Sequence, residues 1–349
     1  MYDPGQLYFD PILTGFSVGF RDQTLYGDQL FPITRVNTQS GRYRVFDRSD
    51  WLIYRDVRAP QTVANEVAGR KWSEDVFNVR EHSLQSGIAD EERQVLQSQG
   101  GLADPTFGGG TVFDPEGDAV RLITRSIQLK REQLIANTIR LASNYAGSHT
   151  TTLTSGATGT QWSNYALATA GDVTTAYSNP VSDLRTAMRR VYLDSGFTWP
   201  NTMIIPFDAV GIIENHPRVV ARYQYTNVFD PNAWKQLLGL PAGVADNLNV
   251  FVVDSQYNSA DNIDATVSMS SFWGQDVWLG IVNNQDGQNI QTFGKTFAWP
   301  YPQGDILPTD RWREEAFKRD VVRTSMRYDL KIVSASAGYL IKTAVVAAP

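Results

Sequence analysis

The sequence predicts an α+β fold, and three observations carry that expectation. One long amphipathic helix is written between Asp114 and Ala146; an Arg-rich, strand-like stretch precedes it; and an acidic segment in which helices and strands alternate follows it. The chain has 349 residues, 42% of them hydrophobic and 11% aromatic, enough to build sizeable cores and more than one domain.

Residues 1–30 combine Gly, Pro, Asp and aromatics without periodicity and are expected to form an arm whose Tyr8, Phe9, Phe16 and Phe20 need a partner surface. Phe31 to Arg35 and Arg42 to Phe46 follow as short strands. From Asp47 to Asp75, charge alternates with Trp51, Ile53, Tyr54, Val57, Val63, Val67 and Trp72. Such a stretch cannot bury much of itself, so it is expected as an extended loop that gains cover from another chain. The candidate contact residues are Arg42, Arg44, Arg48, Trp51, Tyr54, Arg55, Arg58 and Trp72. Glu81 to Gln99 is read as a helix with a polar face at Asp90 to Arg93, leading to a glycine-rich turn at 107–110.

The long helix has a defined start, because Asp114 can cap free N–H groups and Pro115 loses nothing at the first helical position. Val120, Ile123, Ile127, Leu134, Thr138, Leu141 and Tyr145 share one face, widened by Leu122, Leu129, Ile135 and Ile139, and Gly147 supplies a stop. Gly147 to Gly159 reads as a linker. Beyond it come a helix opened by Asn179-Pro180, a strand at Thr202 to Ile205 and a helix from Phe207 to Asn215. A helix opened by Asp230-Pro231 and a strand at Val250 to Val253 follow, then strands at Ser271 to Val282 and Gln291 to Trp299 joined by a turn at 283–287. Phe317 to Val333 and Gly338 to Val345 close the chain as strands expected to pack on the long helix.

Charge separates these parts. Residues 1–146 carry 16 basic and 19 acidic groups (−3), 147–310 carry 7 and 14 (−7), and 311–349 carry 8 and 4 (+4). A net charge of −6 argues against tight sequence-independent nucleic-acid binding, which needs many cations on phosphates. There are no cysteines, which removes disulfides, thiolate nucleophiles and Cys-based metal centres and fits a reducing cytoplasm. No apolar run reaches the roughly 18 residues of a membrane span, and the first residues lack the basic and apolar blocks of a signal peptide.

Motifs for chemistry are thin. Gly294-Lys295-Thr296 resembles the end of a phosphate-binding loop, but Asn289 stands where that loop needs its first glycine. His82, His149 and His216 are widely spaced, no GxSxG elbow occurs, and the Asn258 to Asp264 cluster lacks the spacing of a calcium loop. No catalytic residue, metal site or cofactor is expected.

Particular runs resemble a known family. Phe113-Asp114-Pro115-Glu116 with Asp118-Ala119-Val120 looks like the start of the spine helix in the major capsid proteins of tailed bacteriophages with the HK97-type fold. Arg185 and Met188 before Trp199-Pro200-Asn201-Thr202, then Asn215-His216-Pro217, Tyr225-Thr226 and Leu238-Gly239, are similar to a middle block of that family. Trp312-Arg313-Glu314-Glu315, Asp320-Val321, Tyr328-Asp329 and Ala337-Gly338-Tyr339-Leu340 resemble its closing block. The resemblance covers most of the chain. It implies an N-terminal arm (1–30), a peripheral domain (31–46 and 76–146, with the spine helix at 115–146), an extended loop (47–75), an axial domain (147–310) and closing strands of the peripheral domain (311–349).

It further implies a structural subunit without catalysis that assembles as hexamers and pentamers into an icosahedral shell around packaged double-stranded DNA, in the bacterial cytoplasm, with only loose DNA contact. The arm reaches the first strands within 30 residues, so the implied scaffolding protein is a separate chain; portal and decoration proteins are further implied partners, and a membrane is not. Lys71 is the only lysine in or near the loop, with no carboxylate arrangement beside it, so covalent cross-linking is not expected. An encapsulin-like compartment shell carrying cargo enzymes is the alternative. A soluble α/β enzyme is disfavoured because the acidic segment offers no nucleophile–base motif.

Overall fold

The computed structural model describes residues 25–46, 53, 56–58, 60–64, 66–67, 72–91, 115–156, 159–165, 178–223, 242–260, 266–286 and 290–346. The expected arm up to residue 24, the Asp114 cap, the glycine-rich turn and the helix at Asp230 lie outside these residues.

A single helical turn, α1 (Gly27–Leu30), leads into β1 (Ile33–Arg35). A hairpin follows, β2 (Ser40–Phe46) and β3 (Trp72–Asn78), paired from Ser40↔Asn78 to Phe46↔Trp72. After Val79 the chain continues as β4 (Arg80–Ala89), where the sequence reading placed a helix. The correction has a clear cause. His82 stacks on Tyr328 at 4.2 Å, Ile88 packs with Ala119, Val120 and Val322, and Glu81 pairs with Arg327 at 3.0 Å. Alternate residues thus meet partners on opposite faces, a period-two pattern; Asp90 and Glu91, which follow the strand, are helical, and residues 92–99 of the expected helix lie outside the described residues.

The long helix is α2 (Pro115–Arg140), 26 residues and so about 39 Å long. It stops earlier than the expected 146. Leu141 is extended (φ −82°, ψ 109°), Asn144 Nδ2 donates to the Thr138 carbonyl at 2.7 Å, and Tyr145 Oη donates to the Ile139 carbonyl at 2.5 Å. These side chains take up the last helical carbonyls, which continued helix would otherwise have used. Ile123, Ile127, Ile135 and Ile139 are buried, whereas Leu122 and Leu141, expected on the apolar side, are exposed.

Past α2, β5 (Thr150–Thr152) occupies part of the segment expected as linker. Then come α3 (Pro180–Asp194), β6 (Thr202–Pro206), α4 (Phe207–Glu214), α5 (Pro217–Tyr223), α6 (Ala242–Asp246), β7 (Asn249–Val253), β8 (Gln256–Asn258), β9 (Met269–Ser271), β10 (Val277–Gly280), β11 (Gly294–Ala298), β12 (Thr309–Glu314), β13 (Arg319–Ile332) and β14 (Gly338–Lys342). The first sheet runs β1-β11-β13-β12, with β4 also paired to β13; the second runs β5-β14-β10-β6-β7. Of the two closing strands, β13 lies in the first sheet against α2, while β14 hydrogen-bonds inside the second. The strands that flank the expected turn at 283–287, β10 and β11, belong to different sheets, although Phe293 N–H donates to the Ile281 carbonyl across it at 2.8 Å.

One face of β13 packs on α2 through Val322, Met326 and Tyr328. Alternate residues on the other face carry arginines that each lie over an aromatic ring and pair with an acid. Arg319 covers Phe317 (5.0 Å) and meets Glu314, Arg323 covers Trp312 (5.0 Å) and meets Asp310, and Arg327 covers Tyr301 (3.9 Å) and meets Glu81. This layer explains the aromatic and charged composition around Trp312 without any ligand.

In α3, Asn179 caps the first turn by accepting from Ser182 N–H at 3.3 Å, as the Asn-Pro pair predicted. Asp183, one turn in, accepts from Trp162 Nε1 at 2.9 Å, and burial pushes its carboxyl from 3.8 up to about 6. A carboxyl raised in the folded state holds its proton more tightly there than in the unfolded chain, so stability falls as pH climbs from about 4 to about 6. Asp183→Asn keeps the acceptor for Trp162 and removes the charge. It is expected to stabilise the protein by about 1–3 kcal/mol at neutral pH, with the gain vanishing below about pH 4, measured by urea titration across pH.

Candidate assembly interface

Among the described residues, the β2–β3 hairpin is anchored at its root. Tyr43 and Phe77 stand across the ladder on either side of the Phe297 ring, Phe77 stacked at 4.8 Å and Tyr43 tilted at 5.4 Å. Tyr43 Oη donates to Asp75 at 2.6 Å, and Asn78 N–H donates to Asp329 at 2.8 Å. The hydrogen bond from Tyr43 holds the Asp75 carboxyl below its usual range, while burial and then Asp75 push the Tyr43 phenol up. Gly41 is required here, since a Cβ would lie 2.7 Å from the Phe77 ring. None of these root residues was singled out from sequence. The alternation Gly41-Tyr43-Val45 against Asp75-Phe77 was the available signal.

The other side of the root carries the predicted contact residues. Arg42 pairs with Glu74 at 3.0 Å, Arg44 lies 4.5 Å above the Trp72 ring, and Trp72 itself remains 45% exposed. Beyond the ladder, Ile53, Val57, Val63 and Val67 are 94%, 85%, 91% and 62% exposed, and Arg58 is exposed with them. Arg48, Trp51, Tyr54 and Arg55 lie outside the described residues. Four aliphatic side chains and half a tryptophan are therefore left in water by their own subunit. Covering one such side chain fully contributes about 1.5–3 kcal/mol, against about 0–1 kcal/mol for an exposed ion pair.

Gly294-Lys295-Thr296 is strand β11: Lys295 Nζ donates to the Gln285 carbonyl at 2.7 Å and pairs with Asp286, and Thr296 donates to the Phe31 carbonyl. The fold does bring together one Ser–His pair that sequence reading missed, Ser178 Oγ and His216 Nε2 at 3.1 Å, both fully buried. His216 Nδ1 accepts from the Arg218 N–H, so the neutral ring carries its proton on Nε2 and donates to Ser178. Burial, then Arg218, lowers its pKa to about 4. A ring so arranged cannot take the hydroxyl proton, and the pair serves packing. Among the described residues no cluster of His, Asp and Glu is arranged for a metal ion, and no helix is long and apolar enough to cross a membrane.

No family model matches the chain. A protein named major capsid protein from Burkholderia phage BcepMu is 24% identical over 335 residues, 95% of each chain. A solved structure of a phage-related protein from Bordetella bronchiseptica RB50 superposes with a TM-score of 0.67 at 21% identity, covering 97% of this chain and 98% of that one. A chain in the capsid structure of Cyanophage P-SCSP1u gives 0.56 at 11% identity, over 98% of this chain and 92% of that one. Both solved structures share this chain's fold over nearly its whole length.

Proposed function

We infer that this chain is a major capsid protein: an HK97-like, α+β subunit of a phage shell with a structural, non-catalytic role, located in the virion capsid. The observation that carries the reading is the stretch beyond the β2–β3 ladder, where the described apolar residues Ile53, Val57, Val63 and Val67 are left exposed by their own subunit. Its natural cover is another copy of the same chain, with Arg42, Arg44, Arg48, Trp51, Tyr54, Arg55, Arg58 and Trp72 as the contact set.

In the finer reading, copies close as hexamers and pentamers around a separate scaffolding protein and a portal, in the host cytoplasm, before the shell expands around double-stranded DNA. Quasi-equivalent contacts by the arm, the extended loop and the acidic segment allow one sequence to occupy several environments. A chain of net charge −6 suits a container that holds DNA loosely, and a decoration protein is a further partner. The compartment-shell alternative is the less supported reading, given the phage capsid relative.

The purified chain, with and without the scaffolding protein of its own phage, is examined by size-exclusion chromatography and negative-stain microscopy. Closed shells are the expected product. A monomer that stays monomeric under both conditions overturns the reading.

A further inference from the structure

Two successive residues of α2, Arg131 and Glu132, are buried and bond to three different parts of the molecule. Glu132 accepts from the Gly27 N–H at 2.6 Å, the Tyr26 N–H at 3.3 Å and the Trp273 indole N–H at 3.2 Å. Arg131 donates to Asp28 and, at 3.1 Å, to Thr296 of β11, whose hydroxyl donates to the Phe31 carbonyl at 3.0 Å. Tyr26 and Gly27 begin α1, Thr296 lies in the first sheet, and Trp273 lies in the turn before β10 of the second. A Cβ on Gly27 would sit 2.7 Å from Glu132 Oε2, so the root is seated directly on the carboxylate. Desolvation raises the Glu132 pKa, the cost of sinking a carboxylate that these three donors and the Arg131 charge partly offset.

We propose that Arg131 and Glu132 form a mechanical junction that couples residues 25–31, the root of the N-terminal arm, to both sheets at once. A displacement of one sheet relative to the other then moves the arm root, because the bonds converge on adjacent residues of one stiff helix. A tilt between the sheets and a shift of residues 25–31 become one event. The inference concerns the subunit itself and stands whether or not the chain assembles as a shell.

Hydrogen exchange on the full-length protein tests it through a change at a distance. Trp273→Phe keeps the ring and deletes the indole donor. It is expected to speed exchange of the Tyr26 and Gly27 amides, which share the Glu132 carboxylate with the indole, by about threefold or more, with strand 319–328 unchanged. Glu132→Gln, which keeps one acceptor oxygen, is expected to loosen residues 25–31 and 272–276 together. Arg131→Met is expected to loosen 25–31 and 294–297. Exchange that changes only beside each substitution, with the arm root unmoved by Trp273→Phe, overturns the junction. Glu132→Gln loosening one segment and not the other overturns it as well.

Discussion

Replacing residues 47–71 with a two-residue Asn-Gly turn is expected to abolish shell formation while leaving the subunit folded. Phe46 and Trp72 face each other at the end of the β2–β3 ladder, so a short turn closes the hairpin where pairing already ends. The root contacts of Tyr43, Phe77 and Asn78 with Phe297 and Asp329 are untouched, and the excised side chains that are described are exposed. The melting temperature should therefore move by no more than about 3 °C, the shift expected from less than about 1 kcal/mol in a chain of this size. Assembly should fail outright. Covering Ile53, Val57, Val63 and Val67 alone is worth on the order of 6–10 kcal/mol per subunit, more than a net contact between shell subunits can lose. Negative-stain microscopy reads the result, and normal shells from the shortened chain would remove the loop from the assembly mechanism. Ile53→Asp with Val63→Asp is the milder form and should slow assembly without changing the fold.

How much of this was legible in the sequence depended on whether the deciding contact was local. The Asn179-Pro180 helix start, the β6 strand and the buried stripe of α2 follow from neighbours within a few residues, and the structure shows them nearly where the pattern placed them. Strand β4 did not, because its identity is fixed by a partner about 240 residues later in β13. The end of α2 was misplaced for a different reason: Gly147 is a good stop signal, but Asn144 and Tyr145 reach back to earlier carbonyls and stop the helix first. The exposure of the β2–β3 hairpin was half legible. An Arg-aromatic alternation marks a stretch that cannot bury itself, and Arg44 and Trp72 are exposed, whereas the root residues depend on Phe297, far along the chain.

Phe293→Ala is expected to destabilise the isolated subunit by about 3–5 kcal/mol, the largest single effect on stability foreseen for this chain. The ring is fully buried where both sheets and the long helix meet. It stacks on Tyr145 at 5.1 Å, meets Trp278 at 5.4 Å and Phe31 at 6.2 Å edge-on, and so joins the end of α2, the second sheet and the segment leading to β1. Two glycines are shaped around this cluster. A Cβ on Gly338 would lie 2.5 Å from the Phe293 ring, and one on Gly294 would lie 2.2 Å from Phe31. Both glycines are held in strand ladders and have no side chain to move into the space, so the cavity cost should be felt nearly in full. Phe293→Leu, which refills most of the volume, should recover more than half of the loss. Urea unfolding monitored by far-UV circular dichroism and tryptophan fluorescence measures both variants. A Phe293→Ala cost below about 1 kcal/mol would mean that the two sheets keep separate cores, and that the aromatic cluster does not tie them into one cooperative unit.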